Sequence, residues 1–154
     1  MSKIIFYNDT GFPYSVIAAA IRSGLLPKNR LPEKRELLGV LQRCGLGNGD
    51  ATVFDLGDSL EKEKCLALWS RGDGDMTGRI IKSFLGLFQI KDYRLVRLDY
   101  KRTFLLGAGV ILSKVPGLRP VGHQLIHRAV NSVYRKLLEN ASLTAPGKAS
   151  IEAP

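Results

Sequence analysis

Residues 3–21 read KIIFYNDTGFPYSVIAAAI, and the fold turns on this stretch. Lys3–Tyr7 is short, apolar and partly β-branched, which predicts a buried strand. A polar turn, Asn8–Ser15, leads into Val16–Arg22, whose Ala-rich composition predicts a helix stopping at Gly24. At a strand-to-helix turn, free backbone N–H groups and the helix dipole favour an anion. Ligands of open α/β sheets also collect at the carboxyl ends of strands. Thr10, Gly11 and Ser15 are therefore candidate ligand-binding residues: Gly11 would let the backbone approach a phosphate, and Ser15 would bind an oxyanion or cap the helix. The turn matches neither G-x-x-x-x-G-K-[ST] nor G-x-G-x-x-G. Pro13 lacks an N–H and Phe12 is bulky, so the turn is poor in donors.

Working outward, Pro27 breaks the chain and a second helix is expected from Pro32, with Glu33 and Glu36 complementing its dipole. Leu37, Leu38 and Leu41 form its apolar stripe, Gly45 suits its end, and the glycine-rich GLGNGD turn follows. Thr52–Leu56 and Lys64–Ser70 read as two strands of a hairpin. Arg79–Phe88 is expected to be helical, with Ile80, Ile81, Phe84 and Phe88 on one side, and Tyr93–Tyr100 to be a strand. Thr103–Lys114 is apolar almost all round, which predicts a buried helix broken by Pro116 and Pro120. Leu125–Ile126 is expected as a last short strand. Val130, Val133, Tyr134, Leu137 and Leu138 then repeat at helical spacing. Strands alternating with helices predict a single α/β domain over residues 1–139. Its sheet should be mostly parallel and flanked by helices in Rossmann-like layers, with an antiparallel hairpin added. Residues 140–154 are small and polar and are expected to be a mobile tail.

The net charge of +9 is unevenly placed. Residues 1–78 carry ten Lys/Arg and ten Asp/Glu, whereas residues 79–136 carry twelve Lys/Arg and two acids. Such asymmetry favours an anionic partner. Arg79, Lys82, Arg94, Arg97 and Arg102, with Tyr93 and Tyr100 interleaved, form a candidate basic patch that could follow a nucleic-acid backbone. No nucleic-acid-binding signature accompanies them. The apolar runs are far shorter than the roughly twenty residues a membrane span needs, and no secretory leader is visible. The expectation is a soluble, cytoplasmic chain with no membrane partner. Cys44 and Cys65 lack C-x-x-C spacing and read as reduced thiols.

Two further motifs carry less chemistry. GDGDMTG, Gly72–Gly78, resembles a fragment of a calcium loop but lacks the twelve-residue pattern, so it reads as a loop before a helix capped by Asp75 or Thr77. His123 and His127, four apart, could share a helical face, but no third ligand stands nearby. No cofactor and no metal are expected.

The segments KIIFYNDTGFPYSVIAAAIRSGLLP, CLALWSRG, FLLGAGVILSKVPGLRPVG and VYRKLL together resemble a domain-of-unknown-function family, number 3189, of spore-forming Firmicutes. The resemblance covers most of residues 1–139 and implies a bacterial, cytoplasmic α/β domain. Members carry Gly-Gly-x-His-Ser-Ser before the Ala-rich helix. Here Thr10 and Gly11 stand at the glycines, Pro13 at the histidine, Tyr14 at the first serine, and Ser15 keeps the second. A Gly-Arg-Pro run of the family is matched by Gly122, His123 and Gln124. The resemblance thus adds Gly122 and His123 as candidate site walls and marks this chain as a divergent member. The combined expectation is an anionic small molecule, a nucleotide or phosphometabolite, bound at the first turn. The alternative is a non-catalytic basic module for nucleic acid or an acidic protein. The residues do not fix an enzymatic activity or an oligomeric state.

Overall fold

A computed structural model describes residues 2–44 and 52–142. Among them the elements run β1 (Lys3–Asn8), α1 (Tyr14–Ser23), α2 (Lys34–Arg43), β2 (Val53–Asp58), β3 (Lys64–Trp69), α3 (Gly74–Leu87), β4 (Tyr93–Arg97), α4 (Phe104–Lys114) and α5 (Arg119–Ser142). The four strands form one sheet in the order β2-β3-β1-β4. β1 is parallel to both neighbours, and β2 joins β3 antiparallel as the hairpin partner. The expected α/β fold with a mostly parallel sheet and an added hairpin is present.

Strand alternation assigns the two faces of this sheet. Ile4, Phe6, Cys65, Ala67 and Trp69 point into the main core with α1 and α5. That doubly covered position explains why every residue of α1 from Tyr14 to Arg22 is buried. The opposite face, carrying Tyr7, is approached by α3 through small residues. A Cβ added at Gly78 would lie 2.8 Å from the Tyr7 hydroxyl, and one at Gly74 would lie 2.6 Å from Asp9 Oδ2. β1 and β3 are adjacent, and the helices that follow them lie on opposite faces, so the crevice between their carboxyl ends is the switch point of the sheet.

Local chemistry sets the element ends. Gly24 closes α1 in the left-handed region at φ +87°. Glu33 and Glu36 form a reciprocal capping box at the start of α2. Gly45 and the GLGNGD turn fall outside the described residues. Burial raises the Cys44 thiol pKa and pushes that of Cys65 up to about 11, so both thiols stay protonated at neutral pH.

Four expectations are corrected. Gly74–Gly78 is the first part of α3, not a loop before it, because the Asp73 carboxylate caps the helix by accepting from Asp75 N–H at 2.8 Å. Arg79–Leu87 is helical as expected, within α3, and the apolar side it shares with Phe88 is exposed at Ile80, Phe84, Leu87 and Phe88. α4 is not a buried helix, since only Leu106 and Gly109 of it are buried. Leu125–Ile126 is not a strand. It lies within α5, where Pro120 occupies the first turn and needs no partner for its missing N–H. That helix continues through Asn140 to Ser142 with Ala141 buried, and the remainder of the expected tail lies outside the described residues.

Candidate functional site

Asn8, the last residue of β1 and 1% exposed, organises the first turn. Its Nδ2 donates to Thr10 Oγ1 at 2.9 Å and to the Phe12 carbonyl at 2.7 Å, and its Oδ1 accepts from Ser15 N–H at 3.0 Å. One side chain thereby shapes the turn and supplies the cap that Pro13, at the N-cap position of α1, lacks. Gly11 N–H donates to the Ser70 carbonyl at 2.9 Å, tying the turn to the end of β3. Gly11 has φ +72°, and a Cβ there would fall 2.8 Å from Arg71 Cγ. Glycine is required twice: for the backbone conformation and for the Arg71 side chain that lies across it.

These bonds settle how donors are used. The N–H groups of Gly11, Tyr14 and Ser15 all have intramolecular acceptors, so the turn is not an open nest of amides. Ser15 is fully buried and its Oγ has no hydrogen-bond partner among the described residues. It lies beneath the surface. Asp9, Thr10 and Gly11 are the partly exposed members of the turn, and the Asp9 carboxylate faces Arg97 at 3.8 Å.

The charges sort into spent and available. Arg97, at the carboxyl end of β4, pairs with Asp75, with Asp99 at 2.9 Å and with Asp9 at 3.8 Å. These carboxylates hold its pKa above the usual range, Asp75 foremost by its hydrogen bond. Arg94 is on the other face of the sheet by strand alternation and pairs with Glu63 at the amino edge. Glu63 also receives Arg22 at 2.8 Å, and all but the rim of this triad is buried. Arg79 and Lys82 are on α3. The five basic residues singled out from the sequence therefore occupy α3, both faces of β4 and the segment before α4, rather than one track. Arg71 and Arg102 carry no ion pair among the described residues. Arg71 covers Gly11, and Arg102 lies near Tyr14, whose pKa burial pushes up to about 12, with Tyr100 adding to the shift and Arg102 opposing it.

Gly122 and His123 occupy a different place. Both are in α5, and Gly122 faces the backbone of Gly109, Leu112 and Ser113 of α4, where it permits close helix crossing. His123 is partly buried, and that burial, with Lys34 and Arg119 nearby, lowers its pKa. The nearest neighbours of Gly122 are thus in α4, and the charges that act on His123 are Lys34 and Arg119. His127 is held separately, its Nε2 2.9 Å from the Pro32 carbonyl. No group of three or more His, Cys, Asp or Glu side chains able to hold a metal occurs among the described residues. A groove of about 320 Å³ runs along the outer side of α3, lined by Met76, Arg79, Ile80, Ser83, Phe84 and Leu87, away from the first turn.

Sequence reading missed the two residues that organise this turn, Asn8 and Arg71. Asn8 was legible as an Asn closing a strand before a tight turn, a position where its side chain mimics backbone. Arg71 was not, because only the β1–β3 pairing puts residue 71 over residue 11. Among known proteins, the family model described as "Protein of unknown function (DUF3189)" matches residues 3–144. No curated protein and no solved structure matches.

Proposed function

Because the chain belongs to the DUF3189 family, whose description assigns no activity, we propose its function from its own geometry: it binds an anionic small molecule, a nucleotide or phosphometabolite, in the β1–β3 crevice. The observation that carries this reading is Arg71. Its side chain lies across Gly11 at the switch point of the sheet, with no carboxylate paired to it among the described residues, while Arg97 is neutralised by aspartates. A cation left free beside a glycine turn and the start of a helix is suited to a phosphate oxygen. Thr10 and Gly11 would line the crevice, Arg71 would hold the charge, and Arg102 would add to the field from the α4 side. Ser15 acts from beneath by seating α1, and Gly122 and His123 support α5 rather than the ligand.

The test is a thermal-shift panel of nucleotides and phosphosugars against the wild-type chain and Arg71→Ala. Arg71 is exposed, so its removal leaves the fold intact. A millimolar ligand that raises the melting temperature of the wild type and not of Arg71→Ala supports the reading. Absence of any shift, or an equal shift in both, overturns it. Nucleic-acid binding is not favoured by any single observation, since the basic residues are dispersed and Arg94 and Arg97 are paired.

A further inference from the structure

Among the described residues α4 packs against α5, along one face. Leu106 and Gly109 are buried there, and Ser113 abuts Gly122. The opposite face follows the same helical period through Phe104, Ala108, Ile111 and Val115. Phe104 is 93% exposed, Ile111 63% and Val115 40%. Apolar exposure continues past the helix at Leu118 and Val121. Between Thr103 and Lys114 this outer face presents no hydrogen-bonding side chain, because Ser113, the one polar residue inside that interval, turns its hydroxyl to the Val110 carbonyl at 2.7 Å. Cations bracket the apolar face: Lys101 and Arg102 before it, Lys114 and Arg119 after it. No Asp or Glu occurs from residue 100 to residue 138.

We infer that the α4 face is an interfacial surface that rests on an anionic lipid bilayer. An exposed apolar face of this kind marks a contact surface, and its charge selects the partner. A second copy of the chain would bring like charges together. A protein interface of ordinary composition needs about one hydrogen bond per 100–200 Å², which this face cannot offer. A bilayer asks for none: acyl chains accept the apolar side chains, and anionic headgroups accept the flanking Lys and Arg. Eleven residues of helix are too short to cross, and no described helix is long and apolar enough to do so, so α4 would lie in the headgroup plane. The outer stripe of α3 is also apolar, but Asp73 and Asp75 stand at its start and charge selects no partner there. The expectation of no membrane partner, drawn from the absence of a spanning segment, does not address a surface of this type.

The experiment is co-sedimentation of the full chain with vesicles of phosphatidylcholine alone and of phosphatidylcholine with phosphatidylglycerol. Binding to the anionic vesicles, weakened by salt and reduced about tenfold or more in Phe104→Asp/Ile111→Asp, is the expected result. A second variant, Lys114→Glu/Arg119→Glu, should lose binding to the anionic vesicles without disturbing the apolar face. Both pairs are exposed, and circular dichroism of each variant checks that it folds. No binding to anionic vesicles at low salt overturns the inference, as does binding indifferent to Phe104→Asp/Ile111→Asp. Two other results overturn it: a dimer in solution that Phe104→Asp/Ile111→Asp dissolves, and retention on polyglutamate without retention on vesicles.

Discussion

The carboxamide oxygen of Asn8, at the end of β1, accepts the backbone N–H of Ser15, in the first turn of α1, at 3.0 Å. This bond, with the two that Nδ2 makes to Thr10 and Phe12, replaces a conventional N-cap and fixes the angle at which α1 leaves the sheet. Asn8→Ala would leave the buried Ser15 N–H without a partner and take away one of the two donors to the Phe12 carbonyl, which keeps Tyr14 N–H, at a cost of about 1–3 kcal/mol. Asn8→Asp should be nearly as harmful, because a carboxylate cannot donate to Phe12. Urea denaturation of both variants checks this, and two midpoints within error of wild type would contradict it.

Gly122 and Ser113 define a second tight contact. A Cβ at position 122 would lie 2.3 Å from the Ser113 nitrogen, and its other nearest neighbours are also backbone atoms that cannot turn aside. Gly122→Ala should force α4 from α5 and destabilise the chain by about 3 kcal/mol. The same change at Gly39, where nothing stands within 4 Å, should stabilise α2 modestly through helix propensity. Comparing the two melting temperatures separates a packing role for Gly122 from a ligand-contact role, which would leave stability unchanged.

Glu63 at the amino edge of the sheet serves two guanidinium groups, Arg22 and Arg94. Glu63→Ala leaves a buried Arg22 with the exposed Glu61 as its carboxylate and the Ala141 carbonyl as a further acceptor, and a loss of about 3–5 kcal/mol is expected. Glu61→Ala should cost less than about 1 kcal/mol, since the Glu61 side chain is 55% exposed and screened by solvent. Equal losses in the two variants would show that burial does not govern this network.

His123 should make stability depend on pH. Burial and the positive charges of Lys34 and Arg119 lower its pKa below the usual imidazole value of 6.5. Above that value both folded and unfolded chains hold it neutral, and its contribution is complete. As pH falls from 6.5 through the lowered folded value, the unfolded chain binds the proton more readily, and stability is lost. Melting temperatures at pH 7.5 and 5.5 should therefore differ more in wild type than in His123→Gln. An identical difference would assign the acid sensitivity to other groups.

Several features were legible along the chain because they depend on near neighbours. The β1–turn–α1 unit, the capping box of Glu33 and Glu36, the stop at Gly24 and the β2–β3 hairpin are set by alternation, helical period and glycine or acid at fixed offsets. α4 and α3 show where that reading ends. Phe104–Lys114 has the composition of a core helix, and Ile80, Phe84 and Phe88 have the spacing of a core stripe, yet both groups face outward. Periodicity states that a helix has an apolar side, and it carries no information on whether anything covers that side.

The sequence by itself determined an α/β layer, a turn at the end of the first strand, and a second half rich in cations. Tertiary structure alone decided which cations are available. Arg97 is three residues from Arg94, and strand alternation sends them to opposite faces and to different carboxylates. Arg71 reaches Gly11 across sixty residues of chain because β1 pairs with β3. Gly122 belongs to a helix crossing for the same kind of reason. Charge and sterics act over a few ångströms of space, and only the folded chain sets which residues share those ångströms.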